Sequence, residues 1–247
     1  SEWASVVSAR LWRGMSKNIE IDGVWVGLLN LPVWREKTNI TRHDGDVSII
    51  ENPDLEPLKG PLVDEILQND GEQRAKHPLK SLAEGGMKVR NLETLGLPIF
   101  DLINARAKVF FKVITGSKTA VVDDCWANVM YQGEWLIPHA HKRSKLSVVY
   151  SLEPGNGAEV SDEPLNGHLM LTDPRLPQCC PLEPNLVNSF FRPIGDLPSM
   201  MVLFPSYLTH MVAPYQGTLP RITIAWNISD KKFPGEVTHG GEVVEED

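Results

Sequence analysis

The sequence predicts a mainly β fold, an antiparallel sandwich or barrel with a helical layer ahead of it. Three observations carry that expectation. From residue 119 to 229 the chain runs in short apolar or alternating stretches broken by Gly, Pro and Asn, the punctuation of strands and turns. No helical pattern separates those stretches, which sets a βαβ architecture aside. Residues 61–116, by contrast, repeat apolar side chains near one stripe at helical spacing.

In chain order, Val24-Trp25-Val26-Gly27-Leu28-Leu29 reads as an early strand, and His43-Asp44-Gly45-Asp46 and Asn52-Pro53-Asp54 follow as turns. Pro61 then opens a short amphipathic helix through Leu62, Val63, Ile66 and Leu67. A longer helix begins at Pro98, whose fixed φ and missing N–H suit a first helical position. It gathers Ile99, Leu102, Ile103, Phe110, Val113 and Ile114 on one side and stops at Gly116. Both helices are read as cover for one face of a sheet. Strands are predicted over 119–122, 126–131, 146–152, 168–172, 200–204 and 221–229. The last stretch, 231–247, holds Glu236, Glu242, Glu245, Glu246 and Asp247 with little apolar content, and reads as a flexible acidic tail. The expectation is one domain over 1–230, its first 118 residues a strand and helical layer and 119–230 the β core.

Composition narrows the function classes. The 247 residues are 42% hydrophobic and 23% charged, the balance of a soluble globular chain. Lys+Arg 24 against Asp+Glu 32 gives a net charge of −8, which speaks against a nucleic-acid-binding surface and mildly against a polyanionic substrate. No apolar run approaches the roughly 20 residues of a membrane helix, and Ser1-Glu2-Trp3 is not the basic start of a secretory leader. Cys125 and the adjacent Cys179 and Cys180 form neither an even disulfide framework nor a C-x-x-C metal motif. They read as reduced thiols in a cytoplasmic protein, with no membrane or nucleic-acid partner. Leu- and Trp-containing segments near the N-terminus serve either as core cover or as a homodimer face.

The chemistry sits in the β half. His139 and His141 stand at i and i+2, so on extended chain both imidazoles project to one face. His210 follows Phe204-Pro205-Ser206-Tyr207-Leu208-Thr209. Two near ligands and one distant in sequence is how a sheet builds a three-point metal site with open positions. Taken alone, H-x-H more often marks ordinary hydrogen-bonded histidines. Arg221 changes the balance. It heads a strand whose Ile222, Ile224, Trp226 and Ile228 alternate with Arg221, Thr223, Ala225 and Asn227. A guanidinium at the head of a strand built for burial needs an anion, either a structural Asp or Glu or a bound carboxylate gripped bidentately with help from the Thr223 hydroxyl.

The order H-x-H, distal His, then Arg with a small hydroxyl residue two positions on resembles the Fe(II)/2-oxoglutarate-dependent oxygenases. The likeness is to a branch related to prolyl hydroxylases. It is carried by Trp126-Ala127-Asn128-Val129, Pro138-His139-Ala140-His141, Leu146-Ser147-Val148-Val149-Tyr150, Asp173-Pro174-Arg175, Leu203 through Val212, and Arg221 through Asn227. The resemblance implies a double-stranded β-helix, a cupin-like jelly roll with iron at its open mouth. It implies His139 and His210 as iron ligands and Arg221 as the residue holding the distal carboxylate of 2-oxoglutarate, assisted by Thr223, Tyr150 and Asn128. Asn227, Trp126 and Arg175 become candidates for the substrate pocket, with Trp126 also a natural core residue. The activity implied is hydroxylation of a C–H bond of a small or amino-acid-like molecule by O2, releasing succinate and CO2.

One position departs from the superfamily, where the second ligand is usually Asp or Glu and this chain has His141. A neutral imidazole cancels none of the iron's charge. Either His141 completes a three-histidine site, or it serves beside the metal or substrate while Asp123, Asp124 or Asp173 ligates. Val148 and Ser151 also replace the branch's glycine and second aromatic. His168 reads as structural, and His43, His77 and His239 as solvent-exposed. Phosphate-binding glycine loops, nucleophile elbows and Rossmann fingerprints are absent from the sequence. Two rival readings remain. One is a three-histidine cupin-type oxygenase without 2-oxoglutarate, in which Arg221 holds the substrate's own carboxylate. The other is a jelly-roll binding protein without catalysis.

Overall fold

The computed structural model describes residues 18–21, 24–27, 33–36, 47–77, 88–141, 143–172, 191–194 and 198–232. Thirteen strands lie among the described residues: β1 (Asn18–Ile21), β2 (Val24–Gly27), β3 (Val33–Glu36), β4 (Val47–Glu51), β5 (Lys88–Arg90), β6 (Val121–Met130), β7 (Leu136–His139), β8 (Leu146–Glu153), β9 (Leu169–Thr172), β10 (Phe191–Ile194), β11 (Met200–Pro205), β12 (His210–Val212) and β13 (Arg221–Ser229). Three α-helices accompany them: α1 (Gly60–Lys76), α2 (Pro98–Thr115) and the single turn α3 (Gly157–Val160). The strands form a seven-stranded sheet in the order β3-β4-β11-β8-β13-β6-β5 and a four-stranded sheet in the order β10-β9-β12-β7, with β1 and β2 as a separate pair. Every pairing is antiparallel. This is the mainly β, jelly-roll architecture expected.

The alternation along β13 sets the layers, because successive side chains of a strand leave opposite faces. Ile222, Ile224, Trp226 and Ile228 join a core with Leu62 and Ile66 of α1 and Leu102, Ile103, Phe110 and Phe111 of α2. Trp226 stacks on Phe100 at 6.5 Å between centroids, and its indole N–H donates to Asn104 Oδ1 at 3.2 Å. The opposite face meets the four-stranded sheet, where Val202, Phe204, Leu169, Leu171 and Val212 fill a second core. The helix begun by Pro98 ends where Gly116 takes a left-handed conformation, φ +69°, that favours glycine.

Several boundaries differ from the sequence reading. The stretches expected at 119–122 and 126–131 merge into one strand, β6, over Val121–Met130. Asp123 and Asp124 resemble a turn in sequence but are absorbed by a register shift opposite Asn227 and Ile228. They are paired there, Asp123 accepting from the Ser229 hydroxyl at 2.5 Å and Asp124 from Arg90 at 2.8 Å. The first helix is not short: it runs from Gly60 to Lys76, because its polar second half is tied into the sheet. Arg74 donates to Asp70 at 2.7 Å, to Glu134 at 2.6 and 3.0 Å, and to the Val129 carbonyl at 3.0 Å, and lies 4.6 Å from the Tyr131 ring. Asp70 and Glu134 are both buried. The acidic tail from 233 onward, His43, His239, Asp173, Arg175, Cys179, Cys180 and the side chains of the N-terminal segments lie outside the described residues. No helix among the described residues is long and apolar enough to cross a membrane.

Candidate metal centre

His139 is the last residue of β7 and His210 the first of β12, and the two face each other in register across the small sheet. His141, two residues on, is pinned by its backbone N–H, which donates to the Ser206 carbonyl at 2.9 Å. The three imidazoles therefore converge. Their centroids are 4.2 Å (His139–His210), 5.2 Å (His139–His141) and 5.2 Å (His141–His210) apart, and one ring nitrogen from each lies within 4.8 Å of the others.

Tautomers follow from the neighbours. His139 Nδ1 lies 2.9 Å from the Ile137 carbonyl, and His210 Nδ1 lies 2.9 Å from the Leu208 carbonyl. A carbonyl only accepts, so both Nδ1 atoms carry the proton and both Nε2 atoms keep a lone pair. Burial lowers the pKa of His139, and pushes that of His141 down to about 4 and that of His210 to about 3, aided by the neighbouring imidazoles and Lys88. All three are neutral at pH 7, the form that ligates a metal.

The cleft beside the histidines collects most of the residues singled out in the sequence. Arg221, Thr223, Asn128, Asn227 and Trp126 line it with His139, His141 and His210. Asn128 sits opposite Thr223, and Trp126 opposite Ala225, across the β6–β13 pairing. Arg221 is 2% exposed, with Nη1 donating to the Met130 sulfur at 3.5 Å. Gly167, at φ +66°, permits its approach: a Cβ there would sit 3.3 Å from Arg221 Cδ and 3.0 Å from the Tyr215 ring.

Tyr150 corrects the sequence reading. It pairs with Ile224 and shares that residue's face, so its side chain enters the core under the helices, with its hydroxyl donating to Ser199 Oγ at 3.2 Å. Bulky Val148, Tyr150 and Leu152 turn toward the helical layer, which leaves Ser147, Val149 and Ser151 for the other face. Asp123 and Asp124 stand outside the histidine cluster, and among the described residues the group that could hold a metal is the three imidazoles. Two sets of residues went unnoticed in the sequence. Ser147 Oγ donates to Asn227 Oδ1 at 2.9 Å and pairs with Ser206 Oγ at 2.9 Å, a buried ladder beneath His141. Lys88 and Arg90 flank Trp126 at the cleft rim. The serine at 147 was readable as a polar position on an apolar strand; a three-residue strand such as β5 leaves no pattern to find.

Residues 124–227 match the model of the family described as "Putative 2OG-Fe(II) oxygenase". The matched stretch runs from β6 into β13 and so covers the three histidines, Arg221 and Thr223. Among solved structures, AviO1 from Streptomyces viridochromogenes Tue57 is 14% identical, with 78% of this chain and 93% of that one covered and a TM-score of 0.54. A prolyl-4-hydroxylase of Pseudomonas putida is 15% identical over 74% of this chain and 88% of that one, with a TM-score of 0.48. The viral collagen prolyl hydroxylase of Paramecium Bursaria Chlorella virus-1 is 11% identical over 74% and 96%, with a TM-score of 0.47. At these identities the likeness is one of fold, and AviO1 carries it. No curated protein matches the sequence. The 2OG-Fe(II) oxygenase family uses Fe(II) and 2-oxoglutarate. Three neutral imidazoles with converging nitrogens suit Fe(II), and a buried arginine in the same cleft suits a dicarboxylate.

Proposed function

We propose that this protein is an Fe(II)- and 2-oxoglutarate-dependent dioxygenase that hydroxylates a C–H bond of a small or amino-acid-like substrate, with succinate and CO2 as co-products. The observation that carries the reading is that the three imidazoles and Arg221 line one cleft. His139, His141 and His210 hold the iron through ring nitrogens, and the Ile137 and Leu208 carbonyls fix the orientation of His139 and His210. Arg221 binds the distal carboxylate of 2-oxoglutarate with its fork of donors, and Thr223 and Asn128 add polar contacts from the same face. The bound iron and co-substrate supply the oxidising power that breaks the C–H bond. Phe204, Leu169, Val212 and Val149 wall the cleft and exclude water. Trp126 and Asn227 orient the substrate, Asn227 being held by Ser147.

Anaerobic titration with Fe(II) and then 2-oxoglutarate tests this reading. The expected result is the visible charge-transfer band of a chelated keto acid, and succinate from 2-oxoglutarate once O2 is admitted. Iron binding without the band would favour the oxygenase that needs no 2-oxoglutarate, and no iron binding would favour the binding protein. The same titration separates the roles open to His141. His141→Ala should weaken Fe(II) binding by more than the about 10–100-fold that follows loss of an outer-shell partner. His141→Asp restores a ligand and adds a negative charge, and should bring the affinity back. A His141→Ala protein that binds iron as the wild type does would exclude His141 as a ligand.

A further inference from the structure

Asn128 and Asn227 both line the cleft, and in both the carboxamide oxygen is already engaged. An indole N–H can only donate, so the 3.0 Å bond from Trp126 Nε1 takes the oxygen of Asn128. The Ser147 hydroxyl donates to the oxygen of Asn227 at 2.9 Å, which turns the NH2 group of Asn227 the other way. Ser147 has a single proton, so the 2.9 Å bond between the two serines is donated by Ser206. Ser206 also holds the backbone N–H of His141 through its carbonyl. One residue thus references both the Asn227 amide and the third histidine. The Asn227 side chain belongs to a residue only 6% exposed, yet its NH2 group has no hydrogen-bond partner among the described residues. A buried donor left unmet is costly, so this amide is built to meet an acceptor in the cleft.

We infer that Asn227 receives a neutral carbonyl oxygen of the primary substrate, its NH2 group aimed by the Ser206–Ser147 ladder. The inference rests on the oxygenase reading and adds the class of substrate: a molecule with an amide or ketone carbonyl near the carbon that reacts. Position along β13 separates this role from that of Arg221. The two side chains leave the same face of the strand, with Cα atoms about 20 Å apart at 3.3 Å per residue, and serve opposite ends of the cleft. The chemistry of the Asn227 end selects the acceptor. A carbonyl oxygen brings lone pairs and no proton, matching a site where the oxygens of Asn128, Asn227 and Ser147 already accept. A hydroxyl would bring a proton of its own to satisfy, and an ammonium would meet a donor. An anion needs more than one neutral N–H to replace its hydration, and its counter-charge is the guanidinium at the other end.

The test uses N-acetyl amino acid amides and analogues with both carbonyl oxygens replaced by sulfur, alike in shape and charge but weaker as acceptors. Binding is followed by saturation-transfer NMR on protein loaded with Zn(II) and 2-oxoglutarate. The oxygen series should bind about three- to tenfold more tightly, the worth of one neutral hydrogen bond. Asn227→Asp keeps the oxygen that Ser147 bonds and turns the donor into an acceptor, and should erase the preference. Asn227→Ala should erase it too, without adding a charge, and should bind Zn(II) and 2-oxoglutarate as the wild type does. Equal binding of the two series by the wild type, no binding of the oxygen series, or a preference that survives in either variant would overturn the inference. So would a loss of 2-oxoglutarate affinity in Asn227→Ala, which would assign the amide to the co-substrate. Failure of the oxygenase reading looks different: the wild type with Fe(II) and 2-oxoglutarate would give no charge-transfer band, whatever the amides do.

Discussion

Arg221→Ala is expected to lower affinity for 2-oxoglutarate by about 100-fold, some 3 kcal/mol, as truncation of one partner in a buried charge pair does. The side chain is 2% exposed and the cleft it lines is narrow and apolar on its far wall, so water compensates poorly for the missing guanidinium. Iron binding should survive, because Arg221 belongs to β13 whereas His139 and His210 stand at the ends of β7 and β12 and His141 two residues beyond β7. The anaerobic titration reads both at once: iron binds, and the chelate band needs about 100-fold more co-substrate. Arg221→Lys keeps the charge and loses the bidentate fork, and should fall between the two. Wild-type co-substrate affinity in Arg221→Ala would remove Arg221 from the site.

The second large effect is on stability. Arg74→Ala should destabilise the fold by about 3 kcal/mol, because it strands the buried carboxylates of Asp70 and Glu134. The clamp joins α1 to the end of β6, so its loss also loosens the helical layer from the sheet. Burial already raises the pKa of Asp70, against the pull of Arg74. Without the arginine that pKa climbs further, and the folded state takes up a proton more readily than the unfolded one. Stability of the variant therefore falls as pH rises through that range and recovers as pH is lowered. Urea unfolding at pH 7 and pH 5 should show the gap to wild type narrowing at pH 5. A constant gap would mean that Asp70 is not the group left stranded.

The parts of this fold that were legible in the sequence are those with a local signal. The strand 221–229 and the helix from Pro98 to the glycine at 116 were read to the residue, one from alternation and the other from its end signals. What escaped has its cause elsewhere in the chain. β7 and β12 have four and three residues, too few for a period, and are defined by pairing, β7 with β12 and β12 with β9 as well. The clamp at Arg74 brings together residues far apart in sequence. The H-x-H spacing and the arginine beyond it marked the candidate site, yet their meeting in one cleft depends on His210 lying opposite His139. Tyr150 was assigned by likeness when the alternation of β8 already sent it to the other face.

The two main-chain carbonyls that orient His139 and His210 each come from the residue two positions upstream. Aim of these side chains is thus written into the backbone of their own short strands, with no neighbouring side chain required. Substitutions elsewhere around the mouth, those of the β5 edge included, leave both carbonyls in place and should leave the aim of His139 and His210 unchanged.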